Sequence, residues 1–145
     1  MKRVLLITLI FVCTTNFAFA EKVLVKVTPA KTITTAKKNS LCEGDYVDFK
    51  TTENTKAFKK GEIVTGVVTS LEENGFAVKE ARVLIEDFHT KDKTLDGEIY
   101  LHGGLHKKLN DFVEGSLPEC SVWIRGSEII IHPDEQEFIL YAEVE

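Results

Sequence analysis

Proline, cysteine, methionine and tryptophan are scarce in this chain of 145 residues, at three, three, one and one copies. Three prolines and nine glycines are too few for a low-complexity chain, and no internal repeat occurs. No apolar run beyond residue 20 is long enough to cross a bilayer, so stable membrane insertion is not expected. The motifs of common reaction centres are missing too. There is no Gly-x-Ser-x-Gly elbow, no Cys-x-x-Cys pair, and no phosphate loop or dinucleotide fingerprint, since Gly103-Gly104 lacks the further glycines such loops need. These absences predict a protein that is not an enzyme and needs no cofactor.

What is present begins with an export address. Lys2 and Arg3 form a basic start, an apolar run follows from Val4 to Val12, and Ala18-Phe19-Ala20 places small residues where a signal peptidase cuts. A cleaved signal peptide over residues 1–20 is expected, with periplasmic or secreted localisation. Cys13 is not expected to carry a lipid, because Ile10-Phe11-Val12 lacks the small residues of a lipoprotein signal. Without the two basic residues of the leader, 16 Lys+Arg stand against 23 Asp+Glu, a net charge of about −7. Such an excess argues against nucleic acid and anionic lipid as partners, which require a concentrated positive patch. The lysines crowded into residues 22–60 are interleaved with Thr and acidic residues and read as a solvated face.

Two cysteines remain after the leader, Cys42 and Cys120. An even number in an oxidising compartment suggests one disulfide, which would close a long loop and stabilise the fold by roughly 4–5 kcal/mol. Two separate thiols are the alternative.

Alternation of period two marks the strands. Val23, Val25 and Val27 alternate with Lys22, Leu24 and Lys26 until Pro29. Ile33 among threonines suggests a short edge strand. Tyr46–Phe49, Glu62–Leu71, Ala81–Phe88, Ile99–Leu101, Cys120–Arg125, Glu128–His132 and Phe138–Val144 follow, separated by turn residues. Asn74-Gly75 predicts a type I′ hairpin between Gly66–Leu71 and Ala81–Phe88, because both residues tolerate positive φ. In Ala81–Phe88, the residues Ala81, Val83 and Ile85 should face inward, with Arg82 and Glu86 outward. Gly66 and Gly97 are candidates for bends inside strands. Leu105, Leu109, Phe112 and Val113 have the spacing of one helical face, predicting a short helical insert between Gly103-Gly104 and Gly115.

The expectation is a mainly β fold, a small antiparallel barrel of SH3-like, OB-like or sandwich-like kind. Residues 21–40 would supply an N-terminal strand and a Thr/Lys-rich segment, and residues 41–145 a single barrel domain.

Four strand patterns carry a resemblance: Gly44-Asp45-Tyr46-Val47-Asp48-Phe49, Lys60-Gly61 through Val68, Ala81 to Ile85, and Asp96-Gly97 through Leu101. Together they resemble exported bacterial proteins of unknown role, distantly similar to the periplasmic barrel of type IV secretion core proteins of the TrbI/VirB10 kind. The resemblance implies a small extracytoplasmic barrel and transfers no catalytic residue.

Histidine is where binding chemistry would sit. His102 and His106 are four apart, a spacing that on a helix lets two imidazoles share Zn²⁺ or Cu²⁺. The two glycines between them argue against a continuous helix, and exposed loop histidines are the plainer reading. His89 and His132 stand apart, His132 at a strand end. Glu72-Glu73 and Asp134-Glu135 read as solvated turn carboxylates. Trp123 beside Arg125 reads as a barrel-end residue near an ion pair, with a cation–π contact as the alternative.

Protein contact, by strand addition from an envelope or secreted partner, is therefore the expected function. Metal or small-ligand binding at His102 and His106 is the second expectation. The segment Glu21–Ser40 can complete its own barrel or a neighbour's.

Overall fold

The computed structural model describes residues 20–36, 40–76, 79–103 and 126–144, and all regular structure in them is strand. In chain order these are β1 (Glu21–Pro29), β2 (Ile33–Thr34), β3 (Tyr46–Thr51), β4 (Ile63–Glu72), β5 (Arg82–His89), β6 (Thr94–Asp96), β7 (Ile99–His102), β8 (Ile130–Ile131) and β9 (Phe138–Val144). The expected helical insert, the Cys120–Arg125 strand and the leader up to residue 19 lie outside the described residues.

Six strands close a ring. β1 pairs with β3, β3 with β4, β4 with β5, β5 with β6, β6 with β9, and β9 with β1, all antiparallel. The fold is thus a closed barrel and not a two-sheet sandwich, so each of these strands has a neighbour on both sides. β7 continues β6 past Gly97 and pairs only with β5 among the described residues. β2 and β8 form a separate two-stranded ladder. The N-terminal segment resolves one expectation: β1 is a stave of its own barrel, between β3 and β9.

The alternating sequence determines which side chains enter the ring. Val25, Val27, Phe49, Val64, Val83, Ile85 and Leu140 are fully buried, whereas their sequence neighbours are accessible, apart from Thr28, which the turn at Asp134 covers. Burying one such side chain stabilises by about 1.5–3 kcal/mol. Phe49 lies at the centre, with edge-to-face contacts to Phe88 at 5.7 Å and Phe138 at 6.1 Å.

Two bulges bend the β4–β5 pair. Asp87 and Phe88 together oppose Gly66, and Val68 and Thr69 together oppose Ile85. Asp87 absorbs the first with φ of 52°, and the extra residue turns Phe88 inward after Ile85. Gly66 makes this possible, because a Cβ there would lie 2.5 Å from the Phe88 ring and 2.7 Å from Ile85. Gly97, at φ of 142°, bends the β6–β7 strand against Leu140.

Asn74-Gly75 corrects one expectation. β4 and β5 do pair as neighbours, but the connection is residues 73–81, and neither Asn74 nor Gly75 has positive φ. Gly75 N–H donates to the Lys79 carbonyl at 2.8 Å. Gly126 N–H donates to the Gly75 carbonyl, and Asn74 Nδ2 donates to that of Gly126. Tertiary partners at residue 126 displaced the local two-residue turn.

The loop between β3 and β4, expected only as turn residues between two strands, holds a plug. Ala57 and Phe58 are buried at 8 and 2% exposure, closing one end of the barrel. Thr51 Oγ1 ties the loop down, donating to the Lys59 carbonyl at 2.5 Å and accepting from Glu62 N–H at 3.0 Å. Lys93 covers Phe58, with Nζ 4.9 Å from the ring centroid and a hydrogen bond to the Ala57 carbonyl.

Candidate contact surface

The residues singled out for metal binding do not converge in what is described. His102 ends β7 with its side chain 60% exposed, and its Nδ1 lies 3.9 Å from Glu80 Oε2. Arg82 Nε approaches the same carboxylate at 3.7 Å. His106 lies outside the described residues. His102 does line a cleft of about 380 Å³ with Glu128 and Glu135. The Glu135 carboxylate, however, accepts the His132 N–H at 2.8 Å and so serves its own turn. Among the described residues no three His, Cys, Asp or Glu side chains group as metal ligands would. His89 Nδ1 is 2.8 Å from the Asp87 carbonyl, and His132 Nδ1 is 3.2 Å from Thr32 Oγ1 just past β8.

Cys42 is exposed, and its N–H donates to Asp45 Oδ2 at 2.8 Å. Its expected disulfide partner Cys120 lies outside the described residues, as do Trp123 and Arg125. The turn carboxylates serve structure. Asp134, at φ of 63°, pairs with Lys50 at 3.0 Å while its N–H donates to buried Thr28 Oγ1 at 3.1 Å.

The barrel end plugged by Phe58 has two adjoining hollows. One of about 420 Å³ is lined by Thr28, Lys50, Thr51, Lys60, Asp134 and Glu137 among others. The next, of about 690 Å³, gathers Lys56, Lys59, Lys60 and Lys93 with Glu62. Lysines scattered in sequence therefore share one pole of the barrel. Lys56 is engaged by Glu21 at 2.7 Å and Lys93 by the Ala57 carbonyl, so half of the group already has a partner.

The opposite case is an apolar outer face. Leu24, Ile139 and Tyr141 are 43, 50 and 45% exposed. Leu24 sits directly across from Tyr141 in the β1–β9 ladder, and Ile139 is diagonal to Leu24, so the three are contiguous. Charges flank them. Lys22 reaches across β9 to Asp96 at 3.0 Å, and Lys26 holds Glu53 at 2.7 Å. Hydrogen bonding to Asp96 and its charge, then Glu143, raise the Lys22 amine above its ordinary value. Glu53 in the same two ways, then Glu137, raise Lys26. The pattern signal for this face was present in the sequence, as Leu24 among the outward residues of the first strand. Its joining with Tyr141 required the β1–β9 pairing.

Compared with protein-family models, curated proteins and solved structures, the chain matches none. The functional reading therefore stands on the surface chemistry of the barrel itself.

Proposed function

We propose that this is an exported, non-enzymatic β-barrel that acts by protein contact in the bacterial periplasm or envelope. The observation that carries the reading is the contiguous exposed face of Leu24, Ile139 and Tyr141 on the outside of the barrel. Solvating these side chains costs free energy that contact with another protein removes. The start of β1 at Glu21, directly behind the expected cleavage point, supports the export half of the reading. Strand addition has less room than an open sandwich would give, since the six ring strands are paired on both sides. Contact through the outer face is the favoured route. The resemblance to type IV secretion barrels would make a multi-protein envelope assembly its setting.

The test is affinity capture from an envelope extract at several salt concentrations, using the protein and its Leu24→Lys and Tyr141→Lys variants. Partners held by the native protein and lost by both variants are expected. Recovery of no partner, or equal recovery by the variants, would overturn the reading.

Metal or small-ligand binding remains the second reading, supported by the cleft that His102 lines with Glu128. Calorimetric titration with Zn²⁺ and Cu²⁺ checks it. Heat abolished in a His102→Ala/His106→Ala variant would favour it, and no heat above buffer would end it.

A further inference from the structure

We propose that the outer face of the β1–β9 ladder binds a second copy of this chain, face to face about a twofold axis parallel to the strands. The inference rests on the protein-contact reading and names its partner. Along β1 the outward residues are Lys22, Leu24 and Lys26, apolar in the middle and basic at both ends. Along β9 they are Ile139, Tyr141 and Glu143, with exposed Glu137 just before the strand, apolar in the middle and acidic at both ends. The two neighbouring rows thus complement each other at the Lys22 end and the centre, while Lys26 lies level with Ile139, one step short of Glu137.

Cross-strand register puts Lys22 level with Glu143 and Leu24 level with Tyr141. A twofold axis along the strands, between β1 and β9, preserves those levels and exchanges the rows. β1 of one copy then covers β9 of the other, so Leu24 meets Tyr141 and Lys22 meets Glu143. A twofold axis across the strands at the level of Leu24 and Tyr141 would instead stack β1 on β1, Lys22 over Lys26, and would set Glu143 over Ile139, losing the Lys22–Glu143 contact. Like charges in contact disfavour that arrangement. The charge pattern selects one axis, and a closed isologous dimer follows from it. A second copy already carries the basic, apolar and acidic groups that complement this face at Lys22, Leu24, Tyr141 and Glu143. The exposed pair Lys22–Asp96 exchanges for the intermolecular Lys22–Glu143 pair at little cost, because such pairs contribute little in water, and Lys26 keeps Glu53. Three apolar side chains form the centre of a contact smaller than the about 800 Å² per partner of a standard interface, so the dimer dissociates on dilution.

Sedimentation velocity over a roughly hundredfold concentration range tests this, since association is governed by mass action. The expected result is a monomer that becomes a dimer as concentration rises. Leu24→Lys and Tyr141→Lys should each weaken association by at least about tenfold, with unchanged circular dichroism. Tyr46→Lys, at a residue 71% exposed on β3, should leave it unaltered. Amine-to-carboxylate crosslinking of mixed isotopically labelled and unlabelled copies should yield mixed Lys22–Glu143 links. A monomer at every concentration overturns the inference, as does a dimer indifferent to both variants or one lacking those links. A monomer whose Leu24→Lys variant still loses an envelope partner overturns self-association alone and leaves the contact reading standing.

Discussion

The β1–β9 ladder and the β4–β5 pair are built from similar residues and do opposite work. β1 and β9 run through seven consecutive pairs, Glu21↔Val144 to Val27↔Phe138, without a register break. β4 and β5 slip twice, once at Asp87 and once at Thr69. A regular ladder keeps strict alternation, so its inner face is Val, Leu, Ala and Phe138 while Leu24, Ile139 and Tyr141 line up outside. A bulged pair gives up alternation for curvature, turns Phe88 inward, and leaves Thr69 hydrogen-bonded to Glu86 on the outside. Closure of the ring and presentation of a surface are divided between opposite pairs of staves. Substitutions in the bulged pair should therefore be read in stability, and substitutions on the regular face in association.

The largest effect is expected at Phe88, which is 1% exposed and meets Phe49 edge to face. Phe88→Ala should cost about 4 kcal/mol in urea unfolding, from lost burial and the cavity left behind. A loss no greater than that of an exposed residue would show that the bulge does not direct Phe88 into the core. Thr51→Val should cost about 1 kcal/mol, because the loop loses the buried hydroxyl that bridges the Lys59 carbonyl and Glu62 N–H, which keep only their own 3.2 Å hydrogen bond and water. The accompanying loosening of the plug can be followed by hydrogen exchange at residues 57–62. At Asp87 the cost depends on backbone alone. Asp87→Gly should be near neutral and Asp87→Val should destabilise by about 1–2 kcal/mol, since a β-branched side chain resists φ of 52°. Equal melting temperatures for the two would contradict the bulge.

The smallest effect belongs to the lysines of the regular face. Lys22 and Lys26 titrate above their ordinary value in the folded chain because Asp96 and Glu53 favour the charged amines. Their contribution is fully present below the unfolded value of about 10.4 and is lost as pH rises through the folded one. A Lys22→Met/Lys26→Met variant should therefore lose less melting temperature than the native protein above about pH 10. Both ammonium groups reach solvent, so the difference should be small and should shrink further in salt.

Much of the barrel could be read along the chain. Val23, Val25 and Val27, the inward set Ala81, Val83 and Ile85, and the bending glycines Gly66 and Gly97 all lie where period and steric reasoning put them. These depend on a strand's own geometry and on the absence of a Cβ, which are local. The Asn74-Gly75 turn was misread because its alternatives are not local. The hydrogen bonds joining Gly75 and Asn74 to Gly126 outweigh the preference of two residues for an isolated hairpin turn. Ala57-Phe58 was passed over for the same reason, since a short apolar pair among lysines carries no period. Of the contact face, Leu24 was visible as an outward residue. Its neighbours Ile139 and Tyr141 are more than a hundred residues away in sequence and were joined to it only by pairing.

Sequence alone determined that the chain forms short strands with apolar inner faces, because side-chain direction alternates with every residue and β-branched residues prefer that backbone. Tertiary structure decided that β6 meets β9 to shut the ring, that lysines gather at one pole, and that three apolar residues from the two ends of the described chain share one outer face. Register between distant strands is a sum of many weak contacts made only once the barrel closes, so no stretch of sequence holds it.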